Sequence, residues 1–329
     1  MNSSMTVNRP VKYPAPSQWG GFTRPRPAQP AAKWLPTLAR RIGVFVMLGV
    51  LAIGRLAAAE NTFIEQRDVT YAQQGDESLR CDLYVPAGDG PFPGVLVVHG
   101  GAWMSGNKGQ MARTAASLAE HGYTACSIDY RLAPKYLFPA QIDDCKAAVR
   151  WLRSHAKDYK IDPERLGGYG YSAGGQLVAL LGVTDRKDGL EGLDTAAESP
   201  STRLQCIVAG GAPCDFRSLP ADSGRLAYWL GGNRAEKPLL YQQASALHFV
   251  SADDPPSFFF HGEEDRLVPL ASPRIMVEQL TASRVPATLH AIPNAGHIET
   301  FFNVDARTAA IAFLDKYLQP SKTGATSNQ

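Results

Sequence analysis

Gly170-Tyr171-Ser172-Ala173-Gly174 decides the reading of this chain. The run has the G-x-S-x-G spacing of a nucleophile elbow, a sharp strand-to-helix turn that holds a serine in a strained conformation with its hydroxyl exposed above a sheet. Its surroundings suit that turn. Residues 165–169 read as a strand, and residues 173–183 read as an apolar helix packed on it. In a chain with 30 glycines the pattern alone could be an ordinary loop. A base, an acid and oxyanion donors must therefore be sought elsewhere, in an order that fits.

Upstream, the continuous apolar run over 95–98 delivers the chain into His99-Gly100-Gly101-Ala102-Trp103. Loops of this H-G-G type supply backbone N–H donors to an oxyanion hole, with glycine needed where the peptide plane approaches the substrate oxygen. Gly100, Gly101 and Ala102 are the expected donors on this loop, and the N–H of Ala173 is the expected donor beside the nucleophile. His99 is read as a loop-orienting residue, not as a base.

Downstream, His261-Gly262-Glu263-Glu264-Asp265 follows the strand-like residues 257–260 and precedes Val268-Pro269. Of the three carboxylates, Asp265 is the expected acid, three residues past Gly262 and just ahead of a helix start. Glu263 and Glu264 read as solvent-facing turn residues. Among seven histidines, His297 stands after Pro293-Asn294-Ala295-Gly296 at the end of the last strand and opens the last helix, which makes it the expected base. His121, His155, His248 and His290 have no motif around them. Asp265 would fix the tautomer of His297 without taking its proton.

Outward from these motifs, strands and helices alternate as in a mostly parallel sheet covered on both faces. Strands are expected at 67–72, 79–84, 94–98, 124–129, 165–169, 204–209, 257–260 and 287–292, eight in all. The first two pair antiparallel around Gln74-Gly75-Asp76. Helices are expected at 111–121, 140–159, 173–183, 269–283 and 298–318. In the second of these, Asp143 and Asp144 read as first-turn acids favoured by the helix dipole. Between residues 214 and 254 the alternation gives way to short amphipathic pieces, read as a small cap over the carboxyl ends of the strands.

Composition bounds the rest. With 329 residues, 44% of them hydrophobic, the chain can bury a large core, and a net charge of +2 without a basic stripe argues against nucleic acid. No C-x-x-C pair, H-E-x-x-H helix or acidic calcium loop is present, so neither a metal nor another cofactor is expected. Five cysteines, an odd number, form no evident disulfide framework, and Cys126 and Cys206 fall inside apolar strand-like runs. Residues 1–59 differ in kind. A Pro-, Ser-, Gln- and Arg-rich stretch to residue 36 reads as disordered. Arg40 and Arg41 then precede about 13 apolar residues and Ala57-Ala58-Ala59, too few for a spanning helix of roughly 20, which reads as an export signal cleaved near Ala59. An uncleaved N-terminal anchor is the alternative. The main folded domain is placed at 60–319 and a flexible tail at 320–329.

With these residues in hand, the chain resembles the α/β-hydrolase superfamily, and within it bacterial esterases related to hormone-sensitive lipase and to acetyl- and feruloyl-esterase-like proteins. The order Ser172, Asp265, His297 is the order of that fold. The likeness runs over residues 61–318 and includes Asp129-Tyr130-Arg131-Leu132, Phe138-Pro139-Ala140 and Pro255-Pro256. It implies an α/β-hydrolase fold with an eight-stranded sheet, helices on both faces and a short helical cap. It also implies a serine carboxylic ester hydrolase working through an acyl-enzyme on Ser172. Two departures point to the acetyl/feruloyl branch: the oxyanion loop reads Gly-Gly-Ala-Trp after its histidine, and the helical cap that precedes the nucleophile strand in the lipase-like branch is missing. That branch implies short-acyl esters, acetyl or feruloyl groups of polysaccharides among them. Trp103, Tyr171 and Trp229 are candidates for the pocket wall. Arylformamidase chemistry, a prolyl-oligopeptidase-type peptidase and a non-catalytic binding protein on the same scaffold are the competing readings.

Overall fold

The computed structural model describes residues 62–192 and 198–319; the expected leader, export signal and tail lie outside the described residues. Eight strands form one sheet: β1 (Phe63–Gln74), β2 (Glu77–Pro86), β3 (Phe92–Val98), β4 (Thr124–Ile128), β5 (Ile161–Tyr171), β6 (Cys206–Gly210), β7 (Ser257–Gly262) and β8 (Ala287–Ile292). Their spatial order is β1-β2-β4-β3-β5-β6-β7-β8. β1, β2 and β4 pair antiparallel, and every other neighbouring pair is parallel. The β1–β2 hairpin turns at Gly75-Asp76, where Gly75 takes a positive φ of 59°.

The central strands read as continuous apolar runs because both of their faces are buried. Leu96, Val98, Cys126, Ile128, Ile207, Ala209 and Phe259 pack on one side, with α2 (Ala140–Ser154), α3 (Ala173–Val183) and α6 (Ala271–Ala282). Val95, Val97, Ala125, Cys206, Val208, Phe258 and Phe260 pack on the other, with α1 (Ala112–Glu120) and α8 (Val304–Leu318). The period-2 alternation along each strand thus sorts side chains between two cores.

Several boundaries differ from the sequence reading. The nucleophile strand is longer than 165–169, starting at Ile161, and α2 stops at Ser154 instead of 159. The last helix is two: α7 (His297–Phe302) ends at Asn303, whose side chain caps α8 by accepting from the Ala306 N–H at 2.8 Å. The dipole reading of Asp144 is corrected. Its carboxylate is fully buried and accepts from the Arg131 N–H at 2.8 Å and from the Arg131 guanidinium at 2.7 Å, so it is one half of a buried ion pair. Burial raises the Asp144 carboxyl above its ordinary value, against the pull of Arg131.

Residues 214–254 contain α4 (Ala227–Leu230), α5 (Pro238–Gln243) and a turn of 3₁₀ helix (Ala246–His248). This segment is tied down at several points. Tyr228 donates to the Ala102 carbonyl at 2.9 Å, Trp229 Nε1 to Gln141 at 3.0 Å, and Gln176 to the Ala244 carbonyl at 2.8 Å. All five cysteines are free and buried. Burial pushes the Cys206 thiol up to about 12, which leaves no thiolate for chemistry at neutral pH.

Candidate active site

Four loops leave the carboxyl ends of β3, β5, β7 and β8, the edge at which open parallel sheets present their ligand sites. The loop after β5 is the elbow. Ser172 has φ 56° and ψ −120°, a conformation that a non-glycine residue adopts only when its surroundings enforce it. Here the Ser172 N–H donates to the Gly210 carbonyl at 2.7 Å, and its own carbonyl accepts from Gln176 in the first turn of α3 at 2.9 Å. The flanking glycines are required by space. A Cβ on Gly170 would lie 2.2 Å from the Gly174 carbonyl oxygen, and one on Gly174 would lie 2.1 Å from that of Val98. The elbow therefore seats against the end of β3, which brings the two motif loops together.

The loop after β3 comes within contact distance of the serine, since a Cβ on Gly100 would be 3.0 Å from the Tyr171 carbonyl and 3.1 Å from Ser172 Cβ. Gly101, Ala102 and Trp103 all have positive φ, of 113°, 51° and 58°. Two consecutive non-glycine residues there store strain of roughly 1–3 kcal/mol each, the kind of cost tolerated where a backbone must aim its N–H groups. Ser105 holds the loop closed by donating its N–H to the Gly101 carbonyl at 3.0 Å. The N–H groups of Gly100, Gly101, Ala102 and Ala173 donate to no acceptor among the described residues, so they are available to an oxyanion. His99 is buried. Its Nδ1 donates to the Gly100 carbonyl at 2.6 Å and its ring stacks on Tyr130 at 4.2 Å. Burial holds its pKa below the usual histidine value, which fits a neutral ring that braces the loop.

Ser172, His297 and Asp265 are brought into one hydrogen-bonded line. Ser172 Oγ lies 2.9 Å from His297 Nε2, and His297 Nδ1 lies 2.6 Å from Asp265 Oδ2. The other carboxylate oxygen accepts the Leu267 and Val268 N–H groups, each at 2.9 Å. Burial alone would raise the Asp265 carboxyl. The donors His261, His297 and Val268 outweigh it and hold the group well below the usual carboxylate range. Asp265 is thus ionised whenever the protein is folded near neutral pH, and Nδ1 of His297 carries the hydrogen, leaving Nε2 free to accept the serine proton. Glu263 and Glu264 are exposed.

The pocket-wall reading of three aromatics is corrected. Trp229 is fully buried and stacks on Trp103 at 3.8 Å with 2° between the ring planes, and Phe216 and Phe138 meet Trp229 edge-on. Trp103 is buried too, its Nε1 donating to Gln176 at 2.9 Å. Both are core residues that join the cap to the sheet. Tyr171 is also buried; its hydroxyl donates to the backbone carbonyl of His297, so it holds the loop of the base and does not face a ligand.

Two contacts had no reading in the sequence. Gly211, after β6, has φ 55°, and a Cβ there would lie 3.0 Å from His297 Cε1 and from the Tyr171 ring. Its one signal is a Gly-Gly pair ending a strand. His261 opens the quoted acid motif, yet only the fold shows it beside Asp265.

Comparisons with known proteins give the family and the fold. A family model described as BD-FAE matches residues 81–280. The chain is similar to the probable carboxylic ester hydrolase LipM of Mycobacterium tuberculosis, 31% identical over 256 residues, covering 74% of this chain and 58% of that protein. Esterase LipC of the same organism is 30% identical over 254 residues, covering 73% and 61%. The chain thus spans about three-fifths of the length of these relatives. Among solved structures, a truncated carbohydrate esterase from gut microbiota aligns with a TM-score of 0.71 and 27% identity, covering 80% of this chain and 99% of that one. The propionate-bound esterase Est2 of Thermogutta terrifontis aligns with a TM-score of 0.67 and 25% identity, covering 77% and 96%.

Proposed function

Because the chain belongs to the BD-FAE family and has the α/β-hydrolase fold, we propose that it is a serine carboxylic ester hydrolase acting on short-acyl esters. The observation that carries the reading is the line Ser172 Oγ, His297 Nε2, Asp265 Oδ2, with both contacts inside hydrogen-bond range.

Acyl transfer then proceeds in two halves. His297 Nε2 accepts the Ser172 proton as Oγ bonds to the ester carbonyl carbon, and the oxyanion that forms takes N–H donors from Gly101, Ala102 and Ala173. The C–O bond to the alcohol breaks, and His297 returns its proton to the departing alkoxide. Water then gives a proton to His297, attacks the acyl-enzyme and displaces Ser172, which recovers the proton. Asp265 stays ionised throughout and stabilises the imidazolium.

Acetyl and feruloyl groups on polysaccharides are the substrates we assign within that class. The carbohydrate-esterase and propionate-bound neighbours support them. We place the reaction outside the cytoplasm on the strength of the export-type segment at 40–59.

The test is Ser172→Ala with a p-nitrophenyl ester series from acetate to laurate, alongside acetylated xylan and methyl ferulate. The variant should fold and lose about a millionfold in kcat. Retained activity would remove Ser172 as nucleophile, and a preference for laurate would overturn the short-acyl assignment. Faster turnover of an aryl formamide than of any ester would move the chemistry to formamide hydrolysis.

A further inference from the structure

His261 is a fully buried histidine that the proton relay does not use. It lies at the end of β7, four residues before Asp265. Its Nε2 sits 2.8 Å from the Val268 carbonyl oxygen and 3.2 Å from Asp265 Oδ2. Its Nδ1 is buried without a partner among the described residues. Two acceptors face Nε2 and none faces Nδ1, so the hydrogen belongs on Nε2, shared between the carbonyl and the carboxylate. Asp265 Oδ2 is consequently held from two sides, by His261 Nε2–H and by His297 Nδ1–H at 2.6 Å.

We propose that His261 is a positioning residue, whose Nε2–H fixes the plane of the Asp265 carboxylate so that Oδ2 stays directed at His297. The inference rests on the reading of Asp265 as partner of the base. The two backbone donors at 2.9 Å both fall on Oδ1 and leave rotation about the Cβ–Cγ bond restrained from one side only. His261 supplies the restraint on the other oxygen. Its second bond, to Val268, ties the same donor to the turn that provides one of those N–H groups, so acid, turn and strand end are locked as one unit. The packing around it is equally close: a Cβ on the neighbouring Gly262 would stand 2.2 Å from the Ala295 carbonyl of the base loop.

Three substitutions separate the donor from the shape. Gln places an amide N–H as many bonds from Cβ as His261 Nε2, Asn places one only as far as Nδ1, and Leu fills space without a donor. With p-nitrophenyl acetate, His261→Gln should keep kcat within about threefold, while His261→Asn and His261→Leu should lose about tenfold or more at unchanged KM. Covalent labelling of Ser172 by a fluorophosphonate reads serine activation without presuming an ester substrate, and its rate should fall in the same order. The downfield proton resonance of His297 Nδ1–H should move in the Asn and Leu variants and hold in Gln. Wild-type kcat and labelling rate in Asn or Leu would overturn the proposal, as would a Gln variant no better than Asn at equal folded fraction. Failure of both Asn and Leu to fold would make His261 a packing residue and overturn it too. A wild-type protein that labels at Ser172 but hydrolyses none of the esters would refute the proposed substrate class and leave this test intact. A wild-type protein that does not label would refute the nucleophile itself.

Discussion

Replacing Gly211 by alanine should damage the base without altering any catalytic side chain. A Cβ at this position would meet His297 Cε1, Tyr171 Cζ and Tyr171 Oη, each at 3.0 Å. Carbon pairs are comfortable at about 3.5–4.0 Å, so the three atoms must retreat by roughly 0.5–1 Å. They cannot retreat independently. The Tyr171 hydroxyl holds the His297 carbonyl, and the Tyr171 ring is packed on Phe260 and Phe301, so the base loop moves as a body. The displacement opens the 2.9 Å contact between His297 Nε2 and Ser172 Oγ. A misplacement of about 1 Å at reacting groups costs up to about 10²-fold in rate. Stability suffers separately. An alanine at φ 55° costs about 1–2 kcal/mol, and overpacking a filled site adds about 1–3 kcal/mol. The assay is steady-state hydrolysis of p-nitrophenyl acetate beside a thermal melt. The expected result is kcat reduced by about 30- to 100-fold, KM unchanged within about twofold, and Tm lowered by several degrees. Wild-type kcat in a folded Gly211→Ala variant would refute the claim that this glycine sets the position of the base.

Tyr171→Phe removes only the hydroxyl that holds the His297 carbonyl. An orphaned, part-buried carbonyl costs about 1–2 kcal/mol, so kcat should fall about 5- to 30-fold with KM unchanged; equal kcat would show that this contact does not hold the base. Trp229→Ala empties a fully buried, stacked site and should cost about 3–5 kcal/mol, read as a Tm drop of about 6–20 °C. A drop below about 5 °C accompanied by a higher KM would return Trp229 to the pocket wall. Asp143 carries a carboxyl that burial, and then Asp144, push up to about 6. An acid whose folded pKa lies above its unfolded one near 4 destabilises the fold at pH values above the folded pKa, and the penalty vanishes below the unfolded one. Asp143→Asn should therefore stabilise by about 1–2 kcal/mol at pH 8, a Tm gain of about 2–8 °C, with no gain at pH 4. A gain of equal size at both pH values would assign the effect to something other than charge.

What the sequence made legible is what the backbone demands locally. Gly170 and Gly174 are glycines because carbonyl oxygens at 2.2 and 2.1 Å leave no room for a Cβ, and such a demand is met by residues a few positions apart, so it leaves a contiguous signature. The H-G-G loop and the H-G-x-x-D turn are legible for the same reason, and the strands showed because burial on both faces gives an unbroken apolar run. Asp144 was misread because the helix dipole is a local explanation for an acid in a first turn, whereas its true partner, Arg131, approaches from an irregular segment 13 residues upstream. The break at Asn303 was missed because the apolar pattern continues through it, and one capping asparagine weighs little against that pattern.

The misplaced pocket residues follow from the same distinction. Trp103 meets Gln176 across 73 residues and Trp229 meets Gln141 across 88, so nothing near either indole distinguishes a wall from a core. Once folded, the two rings lie face to face, shielded by Phe216 and Phe138, and each Nε1 is satisfied by a glutamine side chain. A buried indole with its N–H paired contributes apolar area without a polar defect, which suits a pillar between cap and sheet better than a surface that must exchange water for ligand. The large apolar side chains left in solvent near the relay are instead Met104, Leu267 and Ile298, 49%, 72% and 59% exposed. They lie two residues past Ala102, two past Asp265 and one past His297. A single leucine or isoleucine in a loop has no period and no motif, so selectivity carried by such residues is invisible to pattern reading even when the chemistry beside them is plain.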